Sequence, residues 1–122
     1  MKKLLTLFAA GALLLGLASC GKSEAKKLRV GVSIPAADHG WTGGIVGSAE
    51  GGKERLEAAN PDLEIVISTA RDAAEQVSRI ENLMVRNVNA LVVLPQEPGP
   101  LTNVCEAARK QGIFLVTVDR GL

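Results

Sequence analysis

Two cysteines, one histidine, one tryptophan, two phenylalanines and no tyrosine are spread over 122 residues. Two Cys and one His fall short of four ligands, so Cys and His alone build no closed zinc site. Charge of one sign is also missing: 14 Lys+Arg stand against 13 Asp+Glu, a formal net charge of +1. There is no basic excess to track a phosphate backbone and no acidic tail to mimic one, which excludes nucleic acid as a partner. A membrane-spanning run is lacking too. Leu4 to Leu17 covers 14 residues, and crossing ~30 Å of hydrocarbon as a helix needs about 20. What remains is 47% hydrophobic and 22% charged, with 13 Gly and 5 Pro. That is a globular profile, neither disordered nor collagen-like, and its length corresponds to one domain or less.

The chain opens MKKLLTLFAAGALLLGLASC. Lys2 and Lys3 form a basic start, Leu4 to Leu17 an apolar centre, and small residues follow, the pattern of an export signal. Leu17-Ala18-Ser19-Cys20 resembles the bacterial lipobox. In such precursors the Cys is lipidated on sulfur and becomes the new N-terminus; the alternative is an ordinary signal peptide with a Cys nearby. The resulting division is residues 1–19 as lipoprotein signal peptide, 20–27 as a lipidated polar tether and 28–122 as the domain. Loss of Lys2 and Lys3 moves the balance from +1 to −1. Cys105 is then left without a thiol partner, so no structural disulfide is expected despite export.

Along the domain, Leu28, Val30, Val32 and Ile34 alternate with Arg29, Gly31 and Ser33, and Pro35 ends the run, predicting a strand. Trp41 to about Ala59 reads as a helix with Trp41, Ile45, Ala49 and Leu56 near helical spacing. Its Gly43, Gly44, Gly47, Gly51 and Gly52, each about 1 kcal/mol worse than Ala in a helix interior, predict close approach to a neighbouring backbone. LEIVIS (63–68) is a second strand. Asp72 and Glu75 form an acidic variant of a capping box, and Ala73, Val77, Ile80, Leu83 and Met84 follow at helical spacing to about Arg86. ALVVL (90–94) lacks polar alternation, as a strand buried on both faces does. Pro100 is expected at a first helical position, with Leu101, Val104, Cys105 and Ala108 on one face and Gly112 closing the helix. IFLVTV (113–118) is a fourth strand. The order β-α-β-α-β-α-β, at roughly 30 residues per unit, predicts an α/β fold wound on a parallel sheet.

LRVGVSIPAADHGWTGGIVGSAEGGKERLEA, STARDAAEQVSRIENLMVRNVNALVVLPQEPGPL and the ending FLVTVDRG resemble the bacterial periplasmic sugar-binding proteins of the ribose/galactose type, the solute receptors of ABC transporters. The resemblance runs from Leu28 to Leu122. It implies a three-layer parallel-sheet sandwich of flavodoxin-like strand order 2-1-3-4, forming an incomplete part of the N-terminal lobe of a two-lobed receptor that closes on one sugar.

Ligands of open α/β sheets bind beyond the carboxyl ends of the strands. A sugar offers apolar faces and a ring of hydroxyls, which suit a flat aromatic and planar donors and acceptors. Asp119 and Arg120 stand at such a strand end; by resemblance this pair grips adjacent hydroxyls, the alternative being a surface ion pair. Trp41 sits at the mouth of the expected cleft, to stack on a sugar ring or to pack in the core. Asp38 and His39 flank it, where the family often bonds hydroxyls with Asn or Asp; Asp38 is equally a candidate helix N-cap.

Other readings fail on the residues. GSAEGGK (47–53) begins like a phosphate loop, but Glu54 replaces the required Ser/Thr and the motif lies mid-helix. Cys105 falls on the apolar face of its helix and reads as a buried structural thiol. Arg79, Glu81, Arg86, Arg109 and Lys110 read as solvated helix faces. The combined reading is a binding module and not an enzyme, with no cofactor and no metal. It takes a monosaccharide outside the cytoplasmic membrane, in the periplasm or at the cell surface, and delivers it to an ABC permease; only a lipid on Cys20 holds it to the membrane. The alternatives are the sugar-sensing domain of a signalling system and, less in keeping with the residues, a small flavodoxin-like enzyme.

Overall fold

The computed structural model describes residues 27–122. The leader, Cys20 and most of the tether lie outside the described residues. Four strands alternate with three helices: β1 (Leu28–Pro35), α1 (Gly40–Ala59), β2 (Leu63–Ala70), α2 (Ala73–Val85), β3 (Ala90–Val93), α3 (Pro98–Lys110) and β4 (Phe114–Thr117). The strands form one parallel sheet in the order β2-β1-β3-β4, as the resemblance implies. The first crossover steps one way along the sheet and the next two step the other way. Because parallel crossovers are right-handed, α1 lies on one face while α2 and α3 pack together on the other.

The core sits under α2 and α3. Ile80, Leu91, Leu101, Cys105 and Val93 are almost fully buried there, and each large aliphatic contributes roughly 1.5–3 kcal/mol of burial. Gly31 marks the tightest point: a Cβ on it would lie 2.8 Å from Leu91 Cδ2 and 3.1 Å from Leu83 Cδ1. The Asp72 carboxylate caps α2 by accepting from Glu75 N at 2.7 Å, and Gly112, at φ +81°, follows the end of α3.

Three local expectations need correction. The close approach predicted from the glycines of α1 does not occur: Gly43, Gly44, Gly47 and Gly52 would meet nothing within 4 Å, and Gly51 only the tip of Arg55. α1 buries Thr42 alone, so its glycines line an open surface. The third helix begins at Pro98, two residues before Pro100; both prolines fit the first turn, where N–H groups have no intrahelical partner. The N-cap of α1 is His39, not Asp38, because Asp38 is engaged one residue earlier by the Thr42 side chain.

α1 is fastened to the sheet by a polar clasp. Glu57 Oε1 accepts from Ile65 N at 2.6 Å, and Lys53 Nζ donates to Ile65 O at 2.6 Å and to Glu57 Oε1 at 2.6 Å. Lys53, the residue that would end a phosphate loop, is therefore committed to the sheet.

Candidate functional site

A parallel sheet brings all its carboxyl ends to one rim. Pro35 pairs with Ala70, Ser33 with Val93, and Val93 with Thr117. Two residues beyond that last row stand Pro35 on β1, Pro95 after β3 and Asp119 after β4, so the loops after β1 and β4 rise at the same level. β3 separates them, a gap of roughly 10 Å at about 4.8 Å per strand.

The loop after β1 is built around Thr42. Its hydroxyl accepts from His39 N and Asp38 N, both at 3.2 Å, and donates to Asp38 Oδ1 at 2.8 Å. That last bond holds the Asp38 carboxyl below its ordinary value. His39 Nε2 lies 3.4 Å from Asp38 Oδ1, and both side chains are more than 60% exposed. Trp41 is 57% exposed, which removes the core alternative for this ring. It lines a shallow open hollow with Gly40, Gly44, Ile45 and Ser48, where the two glycines offer no side chain to cover the ring.

At the end of β4 the chain makes a three-residue turn. Arg120 N donates to Val118 O at 2.8 Å, and Asp119 between them has φ 67°. This is the rare γ-turn with a left-handed centre, a conformation that costs a non-glycine residue of order 1–3 kcal/mol. Asp tolerates it better than most residues. The turn exposes both side chains by about half, with Arg120 Nε 3.7 Å from Asp119 Oδ2. Arg120 Nη1 donates to Gln96 O at 2.6 Å. The carboxylate thus keeps acceptor sites free, and the guanidinium keeps four of its five N–H donors.

The structure brings Asp38, His39 and Trp41 together at the start of α1, and Asp119 and Arg120 across from them. Cys105 is 1% exposed in the core, and burial pushes its thiol up. Among the described residues no cluster of three His, Cys, Asp or Glu side chains gathers as a metal site, and no helix is long and apolar enough to cross a membrane. Three residues at the rim escaped the sequence reading. Thr42 gave no signal. Gln96 follows β3 and looked like loop. Gln76 carried a signal, being a polar residue three after Ala73 and four before Ile80 on the buried stripe of α2.

Residues 30–121 match the periplasmic binding protein domain family. The chain is 29% identical over 119 residues to the xylitol-binding protein of Mycolicibacterium smegmatis, covering 93% of this chain and 32% of that protein. It is 34% identical over 79 residues to the D-xylose-binding periplasmic protein of Haemophilus influenzae, covering 54% of this chain and 24% of the other. An ABC transporter solute-binding protein from Clostridium phytofermentans, solved with bound β-D-glucose, superposes with a TM-score of 0.65 at 30% identity, over 75% of this chain and 27% of that one. The chain therefore spans a third or less of these relatives. With the family match over residues 30–121 and a strand order in keeping with it, the chain belongs to the periplasmic binding protein domain family.

Proposed function

We propose that this chain is the part of a sugar receptor that supplies one wall of the binding cleft, and that it serves binding and not catalysis. Asp119 and Arg120 grip adjacent hydroxyls of a monosaccharide, Trp41 stacks on its ring, and Asp38 and His39 bond hydroxyls from the β1 side. The single observation that carries this reading is the strained turn at Asp119. It spends backbone stability to hold a carboxylate and a guanidinium exposed at the carboxyl rim of a parallel sheet, where such folds bind ligands. The relatives named for D-xylose and xylitol and the structure with glucose support a polyol or monosaccharide as the ligand class.

The same reading places the protein outside the cytoplasmic membrane, tethered by a lipid on Cys20, with the permease of an ABC importer as its partner. Mass spectrometry of membrane-extracted protein should find an acylated N-terminal Cys20; an unmodified soluble product starting elsewhere overturns the anchor.

Trp41 is the only tryptophan, so its fluorescence reports directly on the rim. Titration with D-xylose, D-ribose and D-glucose should give a saturable change in at least one case. The range should be about millimolar, because one wall encloses far less than the 70–90% of surface that tight sites bury. Asp119→Gly keeps the left-handed turn without strain and removes only the carboxylate. Loss of a hydrogen-bonded partner costs about 1–3 kcal/mol, which is about 10- to 100-fold in affinity and abolishes saturation. No saturable response to any of the three sugars, or an unchanged response in Asp119→Gly, refutes this assignment.

A further inference from the structure

Gln76 is fully buried in the second turn of α2, where a polar side chain is costly unless every group is partnered. All of its groups are. Nε2 donates to Leu94 O at 2.9 Å and to Ser33 Oγ at 3.2 Å, and Oε1 accepts from Gln96 N at 2.8 Å. One amide thereby ties the end of β1 to the loop between β3 and α3. The next link is Gln96 itself. Its carbonyl accepts from Arg120 Nη1 at 2.6 Å, and its side-chain Nε2 donates to Arg71 O at 3.0 Å. The Gln96 residue is thus fixed through its N–H by Gln76, through its side chain by the loop after β2, and through its C=O by Arg120. The loops after β2, β3 and β4 meet at this one residue.

We propose that Gln76 is a positioning residue for Arg120. It anchors Gln96 by its N–H, and the carbonyl of the same residue, on the next peptide plane, holds the guanidinium beside Asp119. The assignment of Arg120 to a ligand rests on the function proposed above; the mechanical link between Gln76 and Arg120 does not. A core amide that merely satisfied itself would need one or two partners on its own helix or strand. This one reaches 20 residues along the chain to the loop residue whose carbonyl Arg120 contacts. Preorganising a guanidinium in this way lowers the entropy lost when a ligand binds.

The test is NMR on arginine-labelled full-length chain. In the native protein the Arg120 guanidinium should show hindered rotation and resolved Nη signals, as should Arg29, which donates to Arg86 O at 2.6 Å and to Glu64. Gln76→Met keeps the side-chain volume and removes all three hydrogen bonds. It should collapse the Arg120 signals to those of a freely rotating arginine and leave those of Arg29 unchanged. If Gln76 is only structural, the variant melts at lower temperature while the folded fraction keeps native Arg120 signals, and the proposal is overturned. A second reading needs no variant. In native-state hydrogen exchange under low urea, the Gln96 amide and Arg120 Nη1 should open in one step with the same urea dependence; independent opening overturns the link. Titrating D-xylose, D-ribose and D-glucose in the same samples separates the two ideas. Coupled Arg120 signals with no sugar response refute the sugar reading and leave the positioning role standing.

Discussion

At the β2 edge of the sheet, Ile65 turns both its backbone groups away from β1, and both are met by side chains: Glu57 takes the N–H and Lys53 covers the carbonyl. At the β4 edge no such cover exists among the described residues. Phe114 N bonds Asn89 O at the entry to β3 and Val118 N bonds Val93 O in it, so by alternation Leu115 and Thr117 point their N–H and C=O outward. Alongside them Phe114, Val116 and Val118 are 69%, 39% and 45% exposed. One edge is blunted by a charged clasp, a common protection against strand addition. The other keeps both hydrogen-bonding groups and apolar surface in the open. The clasp is also what attaches α1, a helix with one buried residue, so a single ion pair serves docking and edge protection together.

The largest expected effect follows from the open edge. The chain should self-associate at tens of micromolar through β4, and Val116→Lys should return it to monomer by placing a charge where a strand would add. Sedimentation velocity on both proteins reads the change directly. A wild-type chain that stays monomeric at about 100 µM would break the comparison, since the two edges would then behave alike.

The centre of the sheet supplies a control. Gly31→Ala puts a methyl 2.8 Å from Leu91 Cδ2 in the packed interior under α2. Overpacking of this kind costs about 1–3 kcal/mol, or roughly 4–20 °C of melting temperature in a domain of this size. It should leave the monomer–oligomer equilibrium of the folded protein unchanged. Association that rises in step with lost stability would show that adhesion comes from partial unfolding and not from the β4 edge.

Much of this was legible in the residues, and what was not has a physical reason. The periodicities of 2 and 3.6 placed all seven elements within a few residues, most sharply for α2 and α3, which each bury one stripe. Strand order came with the family resemblance and not from periodicity. The clasp was hidden: Lys53 and Glu57 stand four apart on α1, a spacing that ordinarily gives a pair on the helix's own surface, and nothing local reveals that Ile65 lies beneath them. The glycines of α1 misled because the absence of a side chain has two uses, close packing and an open surface, and sequence alone does not separate them. At the rim, Asp119 and Arg120 were visible by position. The left-handed turn that presents them was not, since Asp adopts it without any mark in its neighbours. Gln76 showed as a polar residue on an apolar stripe, but its partner Gln96 is fixed only by the meeting of α2 with the β3 loop.

The smallest effect lies in the clasp's response to acid. The bond from Ile65 N and then the bond from Lys53 hold the Glu57 carboxyl below its ordinary value of 4.5. A carboxylate whose folded pKa is depressed contributes stability that is fully present above the unfolded value. It fades as pH falls through the folded one. Glu57 should therefore support the β2 edge in full above about pH 4.5 and release it as pH falls through its lower folded value. Glu75 follows the same sign over a wider window: Arg71 N, Arg79 and Arg71 hold it down to about 2. Below pH 4.5 the Ile65 amide should lose its hydrogen-exchange protection before the core of β3 does, and association should rise as the second edge opens. Glu57→Gln should remove that pH step and leave the Glu75 limb at lower pH. Ile65 protection that falls only together with the core of β3 as the protein is acidified would mean that β2 is shielded by packing and not by the ion pair, and the difference between the edges would need another cause.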